Sequence, residues 1–107
     1  MLRLRVEVDA VTRVLILCHG NLNRSAAGEI ILRRMRPQLD VRSAGIRTTP
    51  RRIMAVRMRE ALISRGYCSA DGPFTRTKQL DAELLAWADH VLIMDASNEW
   101  NLHERHA

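Results

Sequence analysis

The stretch Cys18-His19-Gly20-Asn21-Leu22-Asn23-Arg24-Ser25 decides the fold, because it joins a short apolar run to a helix-forming segment. Residues 14–17 (Val-Leu-Ile-Leu) are continuously apolar, which is typical of a strand buried on both faces of a parallel sheet. After the stretch, apolar residues recur at helical spacing until Pro37 interrupts the pattern. These are Ala26, Ala27, Ile30, Ile31 and Met35. We therefore predict a strand, a loop and a helix in succession.

The residue types in this loop suit the binding of an anion. Backbone N–H groups at a helix start converge on one point, and the helix dipole adds positive charge there. Gly20 and Asn21 tolerate the positive φ angles of a tight anion nest. The planar guanidinium of Arg24 can hold two phosphate oxygens, the same field favours the thiolate of Cys18, and Ser25 can donate a hydrogen bond to it. The alternative is a buried structural cysteine beside a helix-starting arginine.

The rest of the chain alternates further strands and helices. A weaker strand is predicted at residues 41–44, and Thr49-Pro50 is predicted to start a second helix that ends before Gly66 as its C′ residue. The core face of that helix would carry Ile53, Met54, Met58, Ala61 and Leu62. Residues 67–77 should form a loop, followed by a helix at 81–88, with Leu84, Leu85 and Trp87 inward, a strand at 90–94 and a short helix at 98–105.

An additional strand is predicted at residues 2–8, where arginine and apolar residues alternate with period two. We therefore expect an α/β fold with a three-layer, doubly wound parallel sheet, in one domain over residues 1–107. Residues 1–10 would form the extra strand or arm, and residues 11–107 the core. The ligand site should lie beyond the carboxyl ends of the strands.

The chain resembles the low-molecular-weight protein tyrosine phosphatases, whose signature is Cys, five residues, Arg and Ser after the first strand. Three further segments match the family in order, so that the resemblance covers residues 12–105. They are Ser43-Ala44-Gly45, Lys78-Gln79-Leu80 in place of an Arg-Gln pair, and Met94-Asp95-Ala96-Ser97-Asn98. The loop motif is highly specific, and the other matches are moderately so.

The resemblance implies a phosphatase with Cys18 as nucleophile, Arg24 as phosphate clamp and Ser25 as donor to the thiolate. The phosphate or phosphotyrosine-type substrate would be held by the loop residues His19, Gly20, Asn21, Leu22, Asn23 and Arg24. Asn21 would brace the loop from within, with Ser43 as its partner. No cofactor and no metal are implied, and the histidines lack the spacing and accompanying ligands of a metal site.

The sequence departs from the family at the general acid. Members carry a late Asp-Pro dipeptide whose aspartate protonates the leaving group, and this sequence, which stops at Ala107, has none. The resemblance therefore implies a shortened member, slow on phosphotyrosine, in which Asp95 is the best local substitute acid although it also suits a helix start. Such shortening would expose a sheet edge. We expect residues 2–8 to cover that edge, with a homodimer as the favoured form.

The composition limits which locations and partners we expect for the protein. No apolar run approaches the ~20 residues that span a bilayer, and no secretory signal is visible, so no membrane partner and a cytoplasmic location are expected. The two cysteines, Cys18 and Cys68, are too few for a disulfide framework. Residues 24–65 hold eleven arginines against three acidic residues, but with only Tyr67 and Phe74 as ring residues beside two tryptophans, nucleic-acid binding is disfavoured. A non-catalytic phosphoanion-binding module remains the alternative to a phosphatase.

Overall fold

The apolar run ahead of Cys18 forms the central strand of a parallel sheet. In the computed structural model, which describes residues 11–20 and 23–94, β1 (Arg13–Cys18) lies between β2 (Asp40–Gly45) and β3 (His90–Ile93). Both neighbours run parallel to β1, and every β1 residue after Arg13 is buried. Because the strands point the same way, their carboxyl ends share one edge, and the loop after β1 begins there.

Helices cover both faces of this sheet. α1 (Arg24–Met35) packs against the face of Ile16, so closely that a Cβ at Gly28 would lie 3.4 Å from the Ile16 Cδ1. α2 (Val56–Ser64) packs beside α1. α3 (Ala82–Trp87) lies on the opposite face, where Leu84 contacts the cluster of Leu15 and Leu17. The predicted three-layer α/β arrangement with a parallel sheet is therefore confirmed.

One of the apolar residues that recur at helical spacing in α1 is on the surface. Met35 ends the helix and is 54% exposed. Leu32 and Leu39 instead pack against the cluster of Val14, Ile16 and Val41. Met35 thus lies in the helix as its spacing predicts, while Leu32 and Leu39 cover this part of the sheet.

The predicted start of the second helix at Thr49-Pro50 is wrong. α2 begins at Val56, and the preceding residues form an irregular segment in which Arg51 has a φ of 68°. Thr77 holds this segment, because its carbonyl accepts from the Arg51 N–H at 2.9 Å and its N–H donates to the Arg52 carbonyl at 2.7 Å. Backbone groups that a helix would pair internally are thus paired with a distant part of the chain.

Two residues placed on that helix lie ahead of it. Ile53 forms an isolated antiparallel bridge with Arg76, and Met54 is 1% exposed in the cluster of Ala26, Ala27, Ile30 and Leu62. Met54 is therefore a core residue as predicted, although an irregular segment carries it. Met58 packs against the same cluster from within α2.

The remaining boundaries agree closely with prediction. Gly66 follows α2 with a φ of +80°, α3 begins after Asp81, and β3 ends at Ile93, one residue early. Asp89 fastens the start of β3 to β1, since its Oδ2 accepts from the Arg13 N–H at 2.8 Å. That backbone hydrogen bond, and the Arg13 guanidinium, hold the pKa of Asp89 below its ordinary value despite some desolvation.

Several sequence predictions fall outside the described residues. They are the strand at 2–8, the helix at 98–105, and the roles of Asn21, Leu22 and Asp95. Within residues 11–20 and 23–94, no helix is both long enough and apolar enough to cross a bilayer.

Candidate functional site

The thiol of Cys18 and the hydroxyl of Ser25 meet where β1 gives way to α1. Cys18 ends the buried strand and is 2% exposed, and Ser25 lies in the first turn of the helix and is fully buried. The Sγ of Cys18 lies 3.0 Å from the Ser25 Oγ and 3.4 Å from the Ser25 backbone nitrogen. A sulfur anion at this position would therefore face two hydrogen-bond donors from one residue.

The segment after β2 holds the first part of the loop in place. The N–H of Ile46 donates to the Cys18 carbonyl at 3.0 Å, and the N–H of Arg47 donates to the His19 carbonyl at 2.9 Å. The hydroxyl of Thr48 then bonds to the Gly20 carbonyl. The β1–β2 pairing is thus extended beyond both strands, which fixes the path of the backbone through His19 and Gly20.

Gln79 buttresses this extension from the other side. Its Nε2 donates to the Ile46 carbonyl at 2.8 Å, and its Oε1 accepts from the Thr48 N–H at 3.0 Å. Gly45 adds backbone bonds to Lys78 and Leu80 at 2.7 and 2.9 Å. The Lys78-Gln79-Leu80 segment therefore supports the loop indirectly, through residues 46–48. Sequence spacing alone does not reveal this contact.

The other end of the loop is tied to the start of α2. The Oδ1 of Asn23 accepts from the Ala55 N–H at 2.9 Å, and the Asn23 carbonyl accepts from the Ala27 N–H at 2.8 Å. Arg24, the next residue, is exposed at the first position of α1. The Asn23 side chain thus has a positioning contact that sequence reasoning did not identify, while Arg24 is on the surface where an anion can reach it.

Ser43 has a hydrogen-bond partner that sequence reasoning missed. Its Oγ donates to the Glu29 Oε1 at 2.8 Å, while the Thr75 hydroxyl donates to Oε2 at 2.8 Å and the Arg33 guanidinium lies 3.3 Å from that atom. Glu29 is 4% exposed. The signal for this network was a single carboxylate between the apolar residues Ala26 and Ile30 of the helix. The expected contact of Ser43 with Asn21 lies outside the described residues.

Two cavities flank α1 and the loop. One of about 190 Å³ adjoins the loop and is lined by Gly20, Arg47, Thr48, Thr49, Arg52 and Thr77. A larger one of about 350 Å³ lies between the side of α1 at Ile30 and the segment from Tyr67 to Thr75, with Cys68 in its wall. Of these two cavities, only the smaller one is lined by a predicted phosphate-binding residue among residues 11–20 and 23–94. No cluster of candidate metal ligands occurs within residues 11–20 and 23–94.

Comparisons with known proteins show which family the chain resembles. The family model described as low molecular weight phosphotyrosine protein phosphatase matches residues 13–107. Among curated proteins, the chain is 30% identical over 99 residues to the probable low molecular weight protein-tyrosine-phosphatase EpsP of Ralstonia nicotianae, covering 90% of this chain and 64% of EpsP.

Solved structures give the same picture. A low molecular weight phosphotyrosine phosphatase from Vibrio cholerae is 31% identical, with a TM-score of 0.76, over 87% of this chain and 61% of that one. The YwlE arginine phosphatase of Geobacillus stearothermophilus is 29% identical, with a TM-score of 0.76, over 89% and 60%. The chain therefore spans about three fifths of the length of the relatives it matches.

Proposed function

Because the chain belongs to the low molecular weight phosphotyrosine protein phosphatase family, we propose that it hydrolyses aryl phosphate monoesters such as phosphotyrosine at Cys18. The observation that carries the proposal is the 3.0 Å contact of the Cys18 Sγ with the Ser25 Oγ at the start of α1. When Cys18 is a thiolate, the Ser25 hydroxyl donates a hydrogen bond to the sulfur through this contact, and the helix start supplies positive potential.

In the proposed reaction, the Cys18 thiolate attacks phosphorus, so that an S–P bond forms while the P–O bond to the leaving group breaks. Arg24 and the loop amides stabilise the charge on the three equatorial oxygens. The leaving phenolate takes up a proton. Water then attacks the phosphocysteine, which releases inorganic phosphate and restores the thiolate. Ser25 acts through Cys18 as a positioning residue, and Ser43 supports the loop from β2.

The residues of this chain do not include the family's usual donor of a proton to the leaving group. The sequence has no Asp-Pro dipeptide of the kind that supplies the family's acid. We propose Asp95, which follows the last strand in the sequence, as the substitute donor. General acid catalysis contributes roughly 10²–10⁴-fold in typical enzymes. We therefore expect the 107-residue chain to act slowly on alkyl and phenyl esters. The lack of a general acid should lower the rate much less on esters whose leaving group needs no proton.

A series of aryl phosphates with leaving groups of graded acidity tests the proposal. The native chain and Cys18→Ser are compared, with Cys68→Ser as the matched cysteine control. We expect turnover that requires Cys18, survives in Cys68→Ser, and falls steeply as the leaving group becomes more basic. A shallow dependence would show that a proton donor such as Asp95 is at work, and Asp95→Asn would then steepen it.

The same experiment separates an enzyme from the alternative, a phosphoanion-binding module. Titration calorimetry with inorganic phosphate is run on the samples used for turnover. Phosphate binding without any turnover that depends on Cys18 would overturn the phosphatase and leave a sensor or docking module. Absence of both would contradict a phosphate site at this loop.

We also propose that the chain forms a homodimer through the outer edge of β3. In the described part of the chain nothing pairs with this edge, where Leu92 is 48% and Met94 is 44% exposed. At the opposite edge, the Val41 carbonyl accepts from the Arg33 guanidinium at 2.7 Å, and Gly45 bonds to the segment at Lys78. An open apolar edge favours pairing with another strand.

Sedimentation over a range of concentrations tests this dimer. We expect reversible association that Leu92→Lys weakens and Val56→Lys, at a similarly exposed position on α2 (55%), does not. A native chain that stays monomeric at every concentration would contradict the proposal.

We propose a cytoplasmic location, because a thiol nucleophile requires a reducing compartment. Labelling of both free cysteines in freshly lysed cells, without prior reduction, checks that location.

A further inference from the structure

The cavity of about 190 Å³ beside the loop differs in character from a pocket for an aromatic ring. Its wall includes Gly20 of the loop, and the other described residues that line it are arginines and threonines. Among residues 11–20 and 23–94, no aromatic and no acidic side chain lines it. A ligand that enters this cavity from the phosphate loop therefore meets cations and hydroxyl groups.

Both arginines of this cavity have charge available for a ligand. Arg47 and Arg52 are exposed, and in the part of the chain that the structure describes neither guanidinium has an ion pair or a hydrogen bond. The sequence contains no aspartate or glutamate between Asp40 and Glu60, so no acidic neighbour along the chain neutralises them. Two uncompensated cations beside an anion site raise the local concentration of anionic ligands.

Backbone hydrogen bonds fix the main-chain positions of these two arginines. The N–H of Arg47 is bonded to the His19 carbonyl at 2.9 Å, so this residue is held directly against the phosphate loop. The N–H of Arg52 donates to the Thr77 Oγ1 at 2.7 Å, and the Thr77 hydroxyl also bonds to the Thr49 carbonyl. Thr77 is 5% exposed, which makes it a buried anchor for that wall. The two cations are therefore carried by backbone that needs little ordering when a ligand binds.

We propose that Arg47 and Arg52 form a second anion subsite, and that the preferred substrate is a phosphate monoester with a further anionic group next to it. A phosphotyrosine flanked by acidic side chains fits this description. The inference rests on the proposed function, because the phosphate at the Cys18 loop places the second group over the cavity. Arg47 and Arg52 then set specificity, and Cys18 and Arg24 perform the reaction.

Matched phosphotyrosine peptides test the subsite. One series carries glutamate and the other glutamine on either side of the phosphotyrosine, and kcat/KM is measured at low ionic strength. We expect a preference of about fivefold for the acidic peptide, the size that two exposed ion pairs supply. The preference should fall toward one in Arg47→Gln/Arg52→Gln and as salt is added. Arg34→Gln/Arg65→Gln, with equal loss of charge far from the loop, should retain it.

Binding measurements keep this inference separate from the proposed function. Fluorescence anisotropy with Cys18→Ser gives the affinity for both peptides without any turnover. Preferential binding of the acidic peptide that depends on Arg47 and Arg52 would support the subsite even if the native chain proves inactive. Turnover by the native chain with equal affinity and equal kcat/KM for both peptides would overturn the subsite and leave the phosphatase intact. A preference lost equally in the Arg34/Arg65 control would show nonspecific attraction, which also contradicts it.

Discussion

Ser25 is the residue whose removal should affect reactivity more than folding. Its Oγ lies 3.0 Å from the Cys18 Sγ, and its backbone N–H, which any residue but proline keeps, lies 3.4 Å from the same atom. A hydrogen bond to a charged group is worth about 1.5–3 kcal/mol. We therefore expect Ser25→Ala to lower kcat for p-nitrophenyl phosphate about 10- to 100-fold with little change in KM, as stopped assays over a range of substrate concentrations would measure.

Ser64→Ala is the matched control for this substitution. Ser64 ends α2, is exposed, and donates only to the Ala61 carbonyl at 3.2 Å. Its loss should leave kcat and KM within twofold of the native values. Equal kcat in Ser25→Ala and the native chain would show that the hydroxyl does not assist the thiolate.

Glu29 is the residue whose removal should affect folding most directly. It is buried and accepts hydrogen bonds from Ser43 and Thr75, while Arg33 lies close enough for an ion pair. Glu29→Gln removes the charge and turns one acceptor into a donor that faces a hydroxyl. Leaving buried groups poorly paired costs about 1–3 kcal/mol, and the half-exposed Arg33 adds little because solvent screens it.

Urea unfolding followed by circular dichroism measures this loss. The expected decrease in the free energy of unfolding is about 1–3 kcal/mol for Glu29→Gln and less than about 0.5 kcal/mol for Glu60→Gln, at an exposed position of α2. Similar unfolding midpoints for both variants would mean that the Glu29 network does not stabilise the fold.

At the scale of elements, the end of α2 depends on one glycine. Gly66 has a φ of +80°, its N–H donates to the Ile63 carbonyl at 3.0 Å, and the Tyr67 N–H donates to the Leu62 carbonyl at 2.9 Å. This is the Schellman pattern, and it turns the chain so that Tyr67 can pack with Leu62. We expect Gly66→Ala to lower the free energy of unfolding by about 1–2 kcal/mol.

Gly66→Asn provides the comparison for that change. Asparagine adopts the left-handed conformation more readily than alanine, so its cost should be the smaller of the two. Thermal unfolding of the three proteins orders them. An alanine variant as stable as the native chain would contradict the role assigned to the positive φ.

The elements that sequence predicts well are those that local patterns specify. The apolar run of β1, the spacing of α1 before Pro37 and the glycine after α2 act over a few residues, and all three appear in the structure. The start of α2 depends instead on Thr77, which holds Arg51 and Arg52 from about 25 residues away. A Thr-Pro pair is a valid local start signal, but long-range hydrogen bonds override it.

At the scale of the whole molecule, the candidate site also combines contacts that local sequence predicts with long-range contacts that it does not. A sequence motif places Cys18 and Ser25 near each other, because a strand and a helix joined by a short loop leave few arrangements. The contacts of Gln79 with Ile46, and of Asn23 with Ala55, join segments whose separation along the chain hides their proximity. The proximity of Cys18 and Ser25 was thus predictable from local sequence, whereas the contacts that support the loop required the folded chain.

Phosphate binding at the loop should stabilise the entire fold. A ligand that binds only the native state adds about 2.7 kcal/mol at a concentration of 100 times Kd. One kcal/mol corresponds to roughly 4–8 °C in a domain of this size. We therefore expect phosphate at that concentration to raise Tm by about 10 °C or more over chloride at equal ionic strength, and Arg24→Ala to lose most of this rise.

The comparison with Arg65→Ala decides where the phosphate binds. Arg65 follows α2 and lies apart from the loop, so its variant should show the full rise in Tm. A rise that shrinks equally in both variants would mean that phosphate acts on the general positive charge of the surface. A rise lost only in Arg24→Ala ties the ligand to the start of α1, because there a guanidinium and the backbone donors of a helix start can act on the same phosphate.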